Sequence, residues 1–345
     1  QKMQLRILGS VRYLVVYDEI KLQSKNTFNT SEIPTPTTGK IIPNYYNGLE
    51  QTRLGFEITR KTEKGNVFIR LETDFAGPNG YRIRHAYGQM GSFLFGQTWS
   101  LFSHINALPP LVNFSGPTGS VVVRTPQIRY SIPKVLNKTN IAVGLEFFPP
   151  DLNIPDSLQI ESFQLTPDIT LRADRTFEWG SAQLSGILPI LSGRNGDNLG
   201  VITGWGLSGS TILNSWYKGK WYIQGVLGKA ISRYFTEFEG QGYDIQFLPG
   251  GNYTSPYTFG FYTTYAHQWK ASLSSNFTYG YVSLEKKSFT EENIYNKGHT
   301  MRMNTFWDIT DGAKTGAEIT WGKRVNKNEV YGNALRFNLL FYYDF

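Results

Sequence analysis

The sequence predicts an all-β protein, a transmembrane up-and-down antiparallel β-barrel of 16 strands. Three observations predict it. Apolar and polar residues alternate along most of the chain, aromatic residues make up 15% of it, and long connections alternate with short ones. Alternation with a period of two indicates strands with one apolar face. Outer-membrane barrels join such strands by short turns at one end and longer loops at the other.

The last strand shows the alternation most clearly, because one of its faces stays apolar to the final residue, whereas the ends of soluble domains are usually polar. Arg336, Asn338 and Asp344 lie on its other face. An apolar face of this kind either packs on a core or contacts lipid. In a closed barrel the last strand pairs with the first, and its apolar face contacts lipid. The apolar face consists of Leu335, Phe337, Leu339, Phe341, Tyr343 and Phe345.

Composition excludes several classes of protein. No stretch approaches the roughly 18 apolar residues of a membrane-spanning helix, so a helical membrane protein is excluded. The chain has no cysteine, which excludes disulfides and thiolate metal sites. Neither a basic n-region nor an apolar h-region opens the chain, so we expect that a signal peptide is absent from these 345 residues.

The strand-like segments number 16, and we interpret them as one outer-membrane barrel domain covering residues 1–345. Long polar connections (19–50, 103–124 and 236–256) alternate with tight turns such as 179–181 and 311–312. A soluble propeller would instead show a four-strand repeat. The segments are 5–18, 53–62, 66–75, 81–91, 92–102, 125–133, 139–148, 169–179, 180–191, 199–213, 219–235, 257–269, 270–285, 297–310, 313–325 and 334–345.

Two central stretches carry a family resemblance. They are YRIRHAYGQMGSFLFGQTWSLF at 81–102 and FSGPTGSVVVRTPQIRYS at 114–131. Together they resemble the DcaP-like family of trimeric outer-membrane porins, most strongly over residues 53–131. The resemblance implies a 16-stranded homotrimer in the outer membrane of a Gram-negative bacterium, with small anionic solutes such as dicarboxylates as cargo. Family members often carry a coiled coil before the barrel, and because only residues 1–4 precede the first strand, we expect this extension to be absent from these 345 residues, through truncation.

Charged residues are expected on the inner face, which in a wide barrel lines a water-filled channel. A guanidinium matches carboxylate geometry and stays charged, and rings of Arg bias a pore toward anions. Alternation also turns Arg172, Arg302, Arg336 and Glu318 inward. In the other interpretation, wall carboxylates neutralise the arginines and selectivity is weak. The candidate pore-lining and substrate-binding residues are Arg53, Arg70, Arg82, Arg84, Arg124, Arg129, Glu57, Glu72 and Asp74.

The third long connection, about 103–124, is the candidate constriction loop. In porins of 16 strands the corresponding loop folds inward and narrows the channel. Leu108, Leu111, Val112 and Phe114 are too apolar for a loop that lies wholly in water, and folding into the barrel would shelter them. Arg124, at the base of the loop, is then expected to face it across the constriction. The other interpretation is that the loop packs on a neighbouring protomer.

Other functions have weak support in the sequence. The four histidines are scattered, and no His, Asp or Glu cluster has metal-ligand spacing, so we expect no catalysis, no metal and no cofactor. The aromatic residues alternate as a lipid face and do not form a stacking platform, so we expect no nucleic-acid binding. The predicted function is passive diffusion of small hydrophilic, preferentially anionic solutes. The alternative is a surface adhesin or receptor that binds its partner through the long loops.

Overall fold

The computed structural model describes residues 3–36, 42–63, 65–135, 138–152, 160–195, 198–247, 253–286 and 292–345. These residues form strands throughout. The first eight are β1 (Met3–Asp18), β2 (Asn44–Gly48), β3 (Arg53–Thr62), β4 (Gly65–Asp74), β5 (Arg82–Met90), β6 (Phe93–Trp99), β7 (Arg124–Val135) and β8 (Thr139–Glu146).

The middle of the chain holds seven strands, β9 (Ile160–Phe163), β10 (Asp168–Phe177), β11 (Gly180–Leu188), β12 (Ile190–Asn195), β13 (Asn198–Thr203), β14 (Trp205–Asn214) and β15 (Gly219–Lys229). The last seven are β16 (Gln246–Phe247), β17 (Tyr253–Thr254), β18 (Tyr257–Lys270), β19 (Leu273–Leu284), β20 (Tyr295–Thr310), β21 (Ala313–Asn326) and β22 (Tyr331–Asp344).

Sixteen of these strands form one antiparallel barrel, as the sequence predicts. The other six lie at the loop end: β2 adds to the end of β1, β9, β12 and β13 form a small sheet, and β16 pairs with β17. The helices of the described residues are single 3-10 turns, at Thr30–Glu32, Ile105–Ala107, Ser232–Tyr234 and Thr236–Phe238. None of these has the length and apolar character needed to cross a membrane.

Strand β1 closes the barrel by pairing on both sides. Its first half pairs with β3, from Met3 opposite Arg60 to Ser10 opposite Arg53. Its second half pairs with β22. At the seam, Gly9 and Phe345 exchange two backbone hydrogen bonds of 3.0 Å each. A Cβ on residue 9 would lie 2.4 Å from the Phe345 ring, so a larger residue there would force this exposed ring to move.

The two faces of the wall differ in polarity, as lipid outside and water or loops inside require. The outer face is apolar and exposed, with residues such as Leu5, Ile7, Phe95, Leu184, Leu207, Met303 and Phe345. The inner face is polar, and beneath the loops its side chains are buried, including Gln183, Gln224, Thr264, Asn276, Thr300 and Glu318. The barrel therefore has an apolar outer surface, and inside it a buried apolar cluster forms where loop residues such as Val121 and Phe235 pack on Val226 and Val282 of the wall.

The predicted segments match the 16 barrel strands, with two corrections. The segment 199–213 begins too early, because 198–203 belongs to the β12–β13 hairpin and β14 starts at Trp205. The segment 219–235 ends too late, because Ala230 takes a positive φ of 61° and a 3-10 turn follows. Residues 248–252 of the predicted loop 236–256 lie outside the described residues.

Candidate functional site: the channel interior

The third loop, defined here as residues 100–123 between β6 and β7, folds into the barrel and lies on the wall formed by β18–β21. The hydroxyl of Tyr262 donates a hydrogen bond to the Ala107 carbonyl at 2.8 Å. The amides of Asn276 and Asn304 both donate to the Pro110 carbonyl, at 3.0 and 3.2 Å. Polar side chains of the inner face therefore replace water as partners of the loop backbone.

Glu318 is the strongest anchor of the third loop. Its carboxylate accepts the backbone N–H groups of Val112 and Asn113, at 3.0 and 3.2 Å, and the amide of Asn304 at 3.0 Å. Beside this anchor, Val112 is buried against Phe306 and other apolar residues of the wall. The other three residues expected to be sheltered, Leu108, Leu111 and Phe114, are half-buried.

On the opposite wall, β3–β5, three of the predicted arginines are held by the three predicted carboxylates. Arg70 pairs with Glu57 at 3.3 Å and with Glu72 at 2.5 Å. Arg84 pairs with Glu72 at 2.9 Å and with Asp74 at 2.6 Å. Arg82 donates to both oxygens of Asp74, at 2.8 Å to the oxygen that it shares with Arg84 and at 3.1 Å to the other. The neutralising interpretation therefore holds for this half of the arginines.

The other three predicted arginines have different partners. Within the described part of the chain, no carboxylate lies within 4.0 Å of Arg53, Arg124 or Arg129. Arg129 donates to the Trp99 carbonyl at 2.6 Å, and Arg124 lies over the Trp99 ring at 4.2 Å. These nine side chains lie on β3–β5 and β7, which we call the basic wall. Six guanidinium groups against three carboxylates leave it, counted over these nine, with a surplus of three positive charges.

A β-bulge shapes the basic wall. Glu72 lies opposite His85 and Thr73 opposite Ile83, so Arg84 is the extra residue on β5. A bulge shifts the alternation by one position, and Arg84 and His85 therefore both contact inner-face groups. The His85 Nδ1 is 3.0 Å from the Thr98 hydroxyl, while Arg84 meets the two carboxylates. Simple alternation along the sequence contains no sign of this shift.

Phe114 of the third loop lies against the basic wall, in contact with its arginines. The guanidinium carbons of Arg84, Arg82 and Arg53 lie 5.4, 5.5 and 5.6 Å from the centroid of its ring. A cavity of about 980 Å³ lies here, also lined by Arg124 and Trp99. Its surface combines guanidinium groups with the aromatic ring that they surround, a combination that suits an anion with an apolar part.

The first and sixth loops, at 19–43 and 230–256, also enter the mouth, which the sequence did not predict. Glu237 of the sixth loop accepts hydrogen bonds from the Thr30 hydroxyl at 2.5 Å and the Ser31 backbone at 3.1 Å. Burial raises the pKa of the Glu237 carboxyl above its ordinary value. Phe28 and Ile33 are the sequence signal that was missed, because they are apolar residues in a polar segment and are fully buried.

Arg302 and Arg336 point inward, as alternation predicts, but both are 1% exposed. Arg302 donates to the Gly116 carbonyl of the third loop at 2.6 Å. Arg336 pairs with Asp18 at 2.6 and 2.8 Å and donates to the Thr27 carbonyl of the first loop at 2.6 Å. These two arginines fix loops to the wall, so an inward position does not by itself give contact with the channel.

The histidines all have hydrogen-bond partners. His104 lies 2.7 Å from the Ser210 hydroxyl, and His267 and His299 lie 3.3 and 2.9 Å from Tyr265 and Tyr279. Over the residues that the structure describes, no group of three or more His, Asp or Glu side chains is placed to hold a metal ion.

Solved structures with the same fold are outer-membrane channels. The outer membrane channel DcaP of Acinetobacter baumannii is 21% identical, with a TM-score of 0.88 over 99% of this chain and 97% of that chain. An anion-selective porin from Comamonas acidovorans is 11% identical, with a TM-score of 0.67 and full coverage of both chains. The trimer form of OmpT from Vibrio cholerae is 10% identical, with a TM-score of 0.60 and full coverage of both.

Among curated protein sequences, no relative matches this chain. The model of the DcaP outer membrane protein family matches residues 1–188, which is more than half of the chain. The fold, the inward third loop and the family resemblance of the central strands are all consistent with this match. The chain belongs to the DcaP outer membrane protein family and has the fold of a channel of the Gram-negative outer membrane.

Proposed function

We propose that this protein is a passive diffusion channel for small hydrophilic, preferentially anionic solutes, with dicarboxylates as the expected class. The observation that carries the proposal is the charge surplus on the basic wall. Arg53, Arg124 and Arg129 have no carboxylate within 4.0 Å among the described residues. Arg53 and Arg124 line the cavity between this wall and the third loop.

The shape of the site supports a preference for carboxylates over a general attraction to anions. A guanidinium presents paired donors that match the two oxygens of a carboxylate. Arg53, Arg82 and Arg84 surround Phe114, which supplies an apolar surface beside them. The similar fold of an anion-selective porin from Comamonas acidovorans is consistent with this direction of selectivity.

Ion selectivity in planar bilayers under a KCl gradient tests the proposal. The variant R53Q/R124Q/R129Q removes the surplus charges without breaking an ion pair. Each charge near a passing anion contributes on the order of 1 kcal/mol in water-like surroundings, so the ratio of anion to cation permeability should fall at least tenfold. The reversal potential should move toward the cation value.

A charge-neutral variant is the matched control. R172Q/D174N removes an inner-face ion pair of 3.0 Å on β10 and changes no net charge. Its reversal potential should stay near that of the wild type. An unchanged reversal potential in the triple variant would show that the surplus arginines do not set selectivity.

The adhesin or receptor alternative has less support. A partner-binding surface needs loops that project outward, whereas the first, third and sixth loops fold into the mouth and contact one another or the wall. A barrel that conducts no current in bilayers but binds a surface partner would favour the alternative.

We also propose a homotrimer that packs through the terminal strands. On their outer face, a hollow of about 440 Å³ is lined by Ala317 together with Val15, Ile319, Phe337 and Leu339. A small residue among larger apolar side chains offers a recess for a neighbouring protomer. The known trimer form of OmpT from Vibrio cholerae has a similar fold. Replacing Ala317 by Trp should shift the purified protein from trimer to monomer in light scattering, and a trimer that persists would place the interface elsewhere.

A further inference from the structure

The outer face of β18–β22 carries basic and aromatic side chains near the loop end. The register places Tyr281, His299, Lys323 and Asn333 next to one another in a single row across four strands. These residues face outward, because the neighbouring inner-face residue Arg324 bonds to the Ser31 carbonyl of the first loop at 2.6 Å.

A second row lies one step closer to the loops. Lys229 is opposite Tyr257, and Lys297 is opposite Ser283. Lys286 follows the end of β19 at the same level. We call these side chains together the outer basic patch, which consists of Lys229, Lys286, Lys297, His299 and Lys323 with Tyr257, Tyr281 and Tyr331.

The height of the patch on the barrel follows from strand geometry. Below His299 the outer-facing residues of β20 are Met301, Met303, Thr305, Trp307 and Ile309. From position 299 to position 309 the strand advances roughly 33 Å. At the usual strand tilt this is about 25 Å of height, the thickness of the apolar band of such barrels. The patch therefore lies at the headgroup level of the leaflet on the loop side, which is the outer leaflet.

The patch keeps a positive surplus after its own ion pairs are counted. Glu329 pairs with Lys286, and with Lys297 at 3.7 Å, and the Glu285 carboxylate accepts the Tyr257 backbone N–H at 3.0 Å. Four lysines thus face two carboxylates. Among the described residues, no carboxylate lies within 4.0 Å of Lys229 or Lys323. Their ammonium groups lie over tyrosine rings instead, at 6.0 and 4.3 Å.

An open hollow of about 370 Å³ lies within the patch, lined by Lys286, Lys297, Tyr257, Phe259 and Tyr281. Cations beside aromatic rings at the edge of an apolar band suit a ligand with phosphate groups above and acyl chains below. Neither a soluble anion nor a peptide needs the exposed apolar surface of Phe277 and Met301 beneath the hollow.

We propose that the outer basic patch binds the phosphate groups of a phosphorylated lipid of the outer leaflet. Lys297 and Lys323 contact the phosphates, and the tyrosine rings contact the backbone of the headgroup. The acyl chains lie along the apolar residues below. This site lies on the outside of the barrel and does not depend on the selectivity of the channel.

Native mass spectrometry of the purified oligomer in mixed micelles with bisphosphorylated lipid A tests the proposal. The double variant K297Q/K323Q should retain the lipid about tenfold less than the wild type, because each lysine near a lipid surface contributes to anionic-lipid binding. K297R/K323R should retain it like the wild type. K218Q/K270Q, which removes exposed lysines at the short-turn end, is the matched control and should also retain it.

Three outcomes would overturn the proposal. Equal retention by K297Q/K323Q and the wild type would show that the lysines do not hold the lipid. Displacement of the lipid by inorganic phosphate would identify a site for a free anion. Loss of the oligomer in K297Q/K323Q with unchanged lipid retention would assign this face to a second copy of the chain. If K297Q/K323Q does not fold, the single variants K297Q and K323Q make the same comparison, each expected to retain the lipid about threefold less than the wild type.

Discussion

The two facing walls of the barrel use arginine in opposite ways. On β3 and β5, Arg53 and Arg82 line the cavity and contact the ring of Phe114. On β20 and β22, Arg302 and Arg336 are 1% exposed and hold the third and first loops. Both sets point inward by the same alternation. The loops, and not the strands, decide which arginines contact the channel.

The difference has an energetic reason. Burying a guanidinium is costly unless acceptors replace its water. Arg336 has two carboxylate oxygens of Asp18 and two backbone carbonyls as partners, so its burial is compensated. Arg53 has no such set and stays at the cavity surface. A loop can therefore cover one wall and leave the other open.

The largest expected effect comes from breaking the loop-holding wall at Arg336. Replacing Arg336 by Ala leaves the Asp18 carboxylate buried without its partner, and breaking a buried pair in this way costs about 3–5 kcal/mol. The free energy of unfolding, measured by tryptophan fluorescence in guanidinium for the barrel in detergent, should fall by that amount.

Two variants control for this effect. Arg53→Ala, on the open wall, should change the free energy of unfolding by no more than about 0.5 kcal/mol. Asp18→Asn combined with Arg336→Gln should recover part of the loss, because neither residue then carries an unpaired charge. Equal losses in Arg336→Ala and Arg53→Ala would mean that the two walls do not differ as described.

A smaller effect is expected where Glu318 holds the third loop. Glu318→Ala leaves the buried N–H groups of Val112 and Asn113 without an acceptor, which costs about 1–3 kcal/mol. The loop should leave the wall, and the single-channel conductance should change and become noisier. Glu318→Gln keeps an acceptor oxygen and should stay close to the wild type. The anchor would be refuted by a conductance trace for Glu318→Ala that matches the wild type.

The smallest effect on stability is expected at Glu57, which lies on the wall that lines the cavity. The variant Glu57→Gln tests the comparison of the two walls from that side. The pairs of Glu57 with Arg70 and Arg6 are 3.3 and 3.8 Å long and partly exposed, so Glu57→Gln should change the free energy of unfolding by less than about 1 kcal/mol. The added surplus charge should move the reversal potential further toward the anion value.

Glu63→Gln is the matched control for this prediction, because Glu63 is exposed on the turn between β3 and β4. It makes the same change of charge away from the cavity and should leave the reversal potential unchanged. If the reversal potential of Glu57→Gln moved toward the cation value, the net positive charge assigned to this wall would be contradicted.

The strands could be predicted from the sequence because each of them repeats one local pattern. Alternation located all 16 barrel strands, since every strand faces lipid on one side and polar surroundings on the other. It missed strands such as β2 and β16, which are 5 and 2 residues long. Such short strands carry too few positions to show a period.

The site was less predictable, because it depends on contacts that are distant in the sequence. The pairing of Arg84 with Glu72 and Asp74 depends on a bulge that shifts the register at one position. The contact of Thr30 with Glu237 joins residues 207 positions apart. Alternation gives the face on which a side chain lies, but it does not give the partner that a loop brings to it.

The seam between Gly9 and Phe345 has a consequence for how the wall assembles. Until these two residues meet, β1 and β22 each present a row of unpaired N–H and C=O groups, and each such group costs several kcal/mol in hydrocarbon. The sheet can therefore not be completed strand by strand in the membrane at low energy. In the closing step the two ends of the described chain must meet. A bulky residue in place of Gly9 should therefore slow insertion into the membrane more than it lowers the stability of the finished barrel.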